Sequence, residues 1–136
     1  MENKLIIKRI NELNNRTRDY KIYINGELFN NISLFEDEKV FLFYENEIEL
    51  QLKIDWCNSK KAKINFKDKN CTKILVYSSI PNKLWYFIIF GLIFSILVFL
   101  LLKINLFGVL AILFTLIPVY KITFDKNNYL RFRFLL

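Results

Sequence analysis

The nineteen residues 84–102, "LWYFIIFGLIFSILVFLLL", contain no charged side chain, and only Gly91 and Ser95 interrupt their bulk. Wound as a helix they extend about 28 Å, close to the thickness of a bilayer core. A helix this apolar on every side needs either a large protein or a lipid phase around it. A chain of 136 residues offers no such interior. The segment therefore predicts a transmembrane helix. "KIN" at 103–105 breaks the run, and residues 106–120 resume it as a second apolar stretch, short enough for a span to need Ile104 and Asn105 in its first turn, a thinned bilayer or a re-entrant path. So tight a connection makes the two helices antiparallel, giving an expected hairpin over 83–120 with spans 84–102 and 104–120. Gly91 and Thr115 are equally far from Lys103, as are Ser95 and Ala111. Mirror-placed small residues let antiparallel helices approach closely, so these four are the helix-packing candidates.

The rest of the chain is of a different kind. Every acidic residue except Asp125 precedes the hairpin, and the apolar share of 54% is concentrated within it. Ile48, Leu50, Leu52, Ile54 and Trp56 alternate with Glu49, Gln51, Lys53 and Asp55, the pattern of a strand with one dry and one wet face. On this parity Trp56 ends the dry face and Cys57 points away from it. "KVFLFY" at 39–44 reads as a strand covered on both faces, and "ENE" at 45–47 as its hairpin connection. Asn25-Gly26 separates two strand-like runs, the strongest short hairpin signal. "AKINF" (62–66) and "KILVYS" (73–78) add two short strands, with "KDKN" (67–70) turning between them. Pro81 closes the extended region and leaves Asn82 to cap the first helix. The tail alternates as well, with Ile122 and Phe124 before a turn at "DKNN" and Leu130, Phe132 and Phe134 after it, and is available to add strands to the sheet.

The expected fold is thus mixed: a small antiparallel β-sandwich or partial barrel at 1–82, a transmembrane helical hairpin, and a short β-like tail at 121–136. No cleaved export signal is expected, because charges fall on both sides of the first apolar patch. The polar part is then cytoplasmic, and Cys57 and Cys71 reduced.

Catalytic chemistry finds little here. The chain has no histidine, which removes the commonest general base and metal ligand, and no glycine-rich phosphate loop. Cys57 and Cys71 are too far apart in sequence for a close-spaced zinc pair. Glu36-Asp37-Glu38 is a solvated turn first and a weak cation site second. Lys60 and Lys61 lie near enough to Cys57 to activate a thiol, yet no catalytic partner is identifiable. No catalytic, cofactor or metal residue is assigned. Lys61, Lys63 and Lys67 share one face of the 62–66 strand and with Lys60 are the membrane-surface candidates, suited either to anionic headgroups or to protecting a strand edge from pairing with other chains. Nucleic acid is not expected as a partner, since the net charge of +7 in a membrane protein is first an orientation signal.

Residues 20–59, from "YKIYINGELF" through the long alternating strand to "KIDWCNS", resemble the small bacterial β-domains of the PEGA-like kind. The "KIDWCNS" end with two apolar helices after it also resembles small uncharacterised bacterial membrane proteins. That resemblance implies a module that binds a ligand or a surface rather than an enzyme. The expected role is a non-catalytic binding, scaffolding or sensing protein, multi-pass in the inner (cytoplasmic) membrane with both termini cytoplasmic. Its partners would be the lipid bilayer and an unidentified protein or a second copy of the chain. The alternative is a membrane-active effector that oligomerises and perturbs the bilayer.

Overall fold

The computed structural model describes residues 2–33, 35–66 and 71–135. Its strands are β1 (Asn3–Arg9), β2 (Tyr20–Ile24), β3 (Glu27–Ile32), β4 (Glu38–Phe43), β5 (Glu47–Ile54), β6 (Cys57–Asn58), β7 (Ala62–Asn65), β8 (Cys71–Ser78) and β9 (Leu130–Leu135), with helices α1 (Asn82–Leu102) and α2 (Asn105–Thr123) between the last two strands. One sheet runs β4-β1-β8-β9. The other runs β3-β2-β5, with β6 and β7 both on the far side of β5. All pairs between named strands are antiparallel except β1 with β8. The inward residues of the two sheets, Leu5, Ile7, Ile74 and Val76 from the first and Ile22, Leu50, Leu52 and Ile54 from the second, share one core. At one corner the sandwich is closed by a single parallel bridge between Ser59 and Leu130. At the opposite corner Phe29 of β3 packs its ring against Phe41 and Phe43 of β4.

Most of the alternation is realised. Ile48, Leu50, Leu52 and Ile54 are all buried on β5. Asn25 and Gly26 adopt φ of 52° and 89°, the left-handed pair that a tight β2–β3 hairpin demands. The tail strand joins the sheet as β9, paired with β8 from Lys73↔Leu135 to Ser78↔Leu130. Residues 67–70 lie outside the described residues, and with them the expected turn and Lys67.

Other expectations are corrected. The central strand β1 has no counterpart in the sequence reading. "ENE" does not close a hairpin, because β4 pairs with β1 while β5 lies in the other sheet, so the segment crosses between layers. Asn82 does not cap α1, whose cap residue is Pro81. Asn82 instead accepts a hydrogen bond on its Oδ1 from the Leu13 backbone N–H at 2.8 Å. Ile122 does not lie on a strand, since α2 continues through Thr123, and a short 3-10 turn at Lys126–Asn128 leads into β9. That extension gives the second helix nineteen residues, about 28 Å, against the fifteen of its apolar run.

The hairpin turns on Lys103, which takes a left-handed φ of 53° and donates its N–H to the Phe99 carbonyl. Both helices are long and apolar enough to cross a bilayer. Their packing departs from the mirror pairing. The Phe114 ring fills the space that a Cβ on Gly91 would need, and the Phe99 ring lies 3.3 Å from a Cβ placed on Gly108. Ser95 is buried and Ala111 half-buried, but Thr115 faces outward and returns its hydroxyl to the Ile112 carbonyl at 2.7 Å. One residue is about 100° of helix, enough to turn Thr115 off the contact when Phe114 is on it. The glycine thus admits an aromatic ring.

Candidate functional site: the junction of sandwich and helices

β8 and β9 are neighbours in one sheet, and everything between them in sequence is the helical hairpin. The hairpin is therefore an insertion between two paired strands, not a domain on a tether. Leu84, Trp85 and Ile122, from the sandwich ends of the two helices, pack against the β-core.

The second sheet holds the helices too. A left-handed φ of 48° at Asp55 turns the chain back after Ile54, so that Ile54 pairs directly with Cys57. Residues opposite each other in an antiparallel ladder point to the same face. Cys57 is consequently buried, 4% exposed, and Trp56 lies in the turn with 59% of its surface exposed, the reverse of the simple parity. The Trp56 indole Nε1 donates to the Ile122 carbonyl at 3.3 Å, and the Cys57 Sγ lies 3.8 Å from the same oxygen. Carbonyls of a helix's last turn have no partner within the helix, so this turn serves as the cap of α2. Asn58 Nδ2 adds a contact to Asn127 Oδ1 at 3.2 Å. Burial pushes the Cys57 thiol up from its ordinary pKa, so it is a core side chain in its protonated form and not an activated nucleophile.

On the other side of the junction the loop between β1 and β2 folds inward around polar groups. Arg9, 4% exposed, donates to the carbonyls of Arg18 and Ser33 at 3.1 Å and of Asn15 at 2.7 Å, and its guanidinium lies 4.4 Å from the centre of the Tyr20 ring. Glu12 accepts the Ser78 backbone N–H at 2.6 Å. Asn14 donates to the Tyr129 hydroxyl at 2.6 Å, and Asn15 to the Tyr20 hydroxyl at 3.2 Å. Burial raises the Tyr20 pKa to about 12. These groups tie β1, β2, β8 and the start of β9 together beside the point where α1 leaves. Nothing in the spacing of "NELNNRTRD" signals them, because so polar a run reads as a loop or a single helical turn.

Glu12 supplies a measurable signature. Burial holds its carboxyl above the ordinary value of 4.5, against the opposing pull of the Ser78 and Asn15 hydrogen bonds and of Arg9. The folded protein thus keeps this proton more tightly than the unfolded chain. The resulting stability is full below the ordinary value and is lost as pH rises through the raised one. Glu12→Gln keeps an acceptor for Ser78 and has no proton to lose. Relative to wild type the variant is expected to become more stable as pH rises through that window, with a constant difference above it, read from unfolding midpoints of the full chain in mild detergent across a pH series.

The basic residues are dispersed. Lys61 pairs with Glu49 at 2.7 Å, and Lys63 stands exposed opposite Glu49 in the β5–β7 register. That register sets β7 against the half of β5 far from the Asp55-Trp56 turn, with Lys63 about 17 Å along the strand from Ile54. Lys60 instead borders a cleft of about 490 Å3 with Tyr77, Asn128, Arg131, Phe132 and Phe134, where β9 diverges from the Ser59 bridge. Lys83, Lys121 and Lys126 lie at or next to the helix ends in sequence. Arg18 pairs with Asp55, and Lys121 with Asp125. Glu36 accepts from the Ser33 N–H and from Lys39, and Glu38 pairs with Lys73, so the acidic turn is engaged by its neighbours. Among the described residues no group of three or more acidic or cysteine side chains is placed to hold a metal. No known protein family, curated protein or solved structure matches this chain.

Proposed function

We propose that the chain is a membrane-anchored, non-catalytic binding or scaffolding protein, with its β-domain seated in a fixed attitude on the cytoplasmic side of the inner membrane. The observation that carries this reading is the insertion of the hairpin between neighbouring strands, with the ends of both helices bonded to the sandwich: Asn82 to the Leu13 N–H, Ile122 to Trp56. A tether would serve an anchor equally well. A rigid junction serves a domain whose orientation to the bilayer matters, as it does for presenting a surface to a partner in the same membrane. The sequence resemblance of residues 20–59 to PEGA-like domains would point toward binding in the same way.

Because β1 and β9 both flank β8, the two termini belong to one sheet, which supports a reading with both on one side of the membrane. The basic residues Lys73, Lys83, Lys121, Lys126, Arg131 and Arg133 flank the hairpin on that side, against Lys103 alone at its tip. Excess Lys and Arg near the ends of membrane helices marks the cytoplasmic side. With Cys57→Ala and Cys71→Ser as background, a single cysteine introduced at Ile104 is expected to react with a membrane-impermeant maleimide on intact cells, and one at Asn127 only after lysis. The exposed native Cys71 reports the side of the sandwich without any introduced cysteine. Labelling of position 127 or of Cys71 on intact cells would place the β-domain outside and reject the orientation.

A further inference from the structure

We propose that the Asp55-Trp56 turn, with Phe124 at the end of α2, is a lipid-binding surface that rests the β-domain on the headgroup layer. The inference builds on the membrane reading above and adds its own contact. Trp56 is a large aromatic residue left 59% exposed although its indole N–H is fixed to the Ile122 carbonyl. Phe124, 81% exposed, stacks on Tyr120 with ring centroids 5.7 Å apart. An exposed tryptophan in a tight turn costs a soluble domain both solubility and a strand-end position better filled by a polar residue. At a membrane boundary it gains, because the apolar body enters the acyl-chain margin while the N–H keeps a polar partner.

Position argues for lipid as the occupant. The uncharged part of α2 ends at Tyr120, and Ile122 lies about 3 Å further along the axis, so the indole stands at the level where acyl chains give way to headgroups. Leu13, 43% exposed, is held at the same level by its bond to Asn82 in the first turn of α1. Arg18 bonds Asp55 within the turn itself, which sets a guanidinium on the residue next to Trp56 in sequence, as a headgroup layer favours. Trp56 is bonded to α2 at Ile122 and Phe124 stacks on Tyr120 of the same helix, so lipid around the helix reaches both side chains.

The chain's two tryptophans, Trp56 and Trp85, make the test direct. With Trp85→Phe, Trp56 is the sole tryptophan of the intact chain, reconstituted in phosphatidylcholine–phosphatidylglycerol vesicles whose acyl chains carry bromine either near the headgroup or near the chain end. Shallow bromines are expected to quench Trp56 more than deep ones, and aqueous iodide to quench it little. If Trp85→Phe does not fold, the difference between wild type and Trp56→Phe isolates the same emission, since that substitution falls on an exposed side chain. A second chain with Trp56→Phe, Trp85→Phe and Leu97→Trp reports the middle of α1, where deep bromines should quench most. If the mid-helix probe is insensitive to bromine, the membrane reading itself fails and this inference with it. If that probe is quenched while Trp56 responds to iodide and not to lipid bromine, the helices span and the lipid-binding turn is wrong.

Discussion

Replacing Arg9 with alanine is expected to destabilise the β-domain by at least about 3 kcal/mol, more than a typical single substitution and enough to lower its unfolding midpoint by roughly 10 °C or more. The guanidinium satisfies three carbonyls from two separate segments: Asn15 and Arg18 of the β1–β2 loop and Ser33 after β3. It also covers the Tyr20 ring, which is itself fully buried. Alanine leaves those carbonyls facing a void, and each buried unpaired acceptor costs its desolvation. It also removes the positive charge that steadies Glu12. Arg9→Lys separates charge from geometry, since a single ammonium on a flexible stem does not reproduce the planar fork that reaches three acceptors. The lysine variant should recover the favourable field on Glu12 but little of the stability. Chemical denaturation of the intact protein in mild detergent, followed through the aromatic signals of the sandwich, measures both. A loss within about 0.5 kcal/mol, the range of an ordinary surface substitution, would show that the loop is held by something other than this arginine.

The contrast between Arg9 and Leu52 marks where sequence is readable. Leu52 is inside because its neighbours at even spacing are apolar and those between are not, and a period of two is a local property. The same holds for the helices, where unbroken apolarity over a bilayer's thickness needs no tertiary information, and for Asn25-Gly26, whose backbone freedom fixes the turn. Arg9 ends a strand interrupted by Lys4 and Lys8, and what makes that strand central is its parallel ladder with β8, more than sixty residues on. Such pairing leaves no mark within either segment. Trp56 shows a different kind of loss. Its parity continued the β5 pattern faithfully, but parity holds only while the chain stays extended, and Asp55 turns left-handed one residue earlier. Asp is among the few residues that tolerate that conformation, and Cys57 begins a return strand, so "IDWC" contains the signal for a two-residue turn. The helix contact was half legible: small residues did mark the interface at Gly91 and Ser95, while the ring chosen to fill the gap, Phe114, is indistinguishable in sequence from the exposed Phe90.

Ending the chain before Tyr129 is expected to abolish cooperative unfolding of the sandwich while leaving the hairpin in place. The deletion removes β9 and with it a full ladder of pairs to β8, from Lys73 to Ser78. It also removes Leu130, 1% exposed, and Tyr129, whose hydroxyl meets Asn14 at 2.6 Å and Asn15 at 3.3 Å and whose carbonyl accepts the Ser79 N–H at 2.7 Å. Those bonds join the β1–β2 loop to the root of α1, so the loss extends beyond one edge strand. Losing two well-buried side chains alone is worth several kcal/mol, of the order of about 2–5 each, comparable with the whole stability of a small domain. Removing only residues 133–136 makes the control, because Phe134 is 51% and Leu135 36% exposed and the bonds of Tyr129 survive. Limited proteolysis of the reconstituted protein separates the two: the short truncation should resist cleavage within the sandwich nearly as wild type does, and the long one should be cut there while the 82–123 segment remains protected by lipid. Equal resistance of both truncations would mean that the sandwich is complete without β9, and that the hairpin is an appendage following a finished domain instead of an insertion within its sheet.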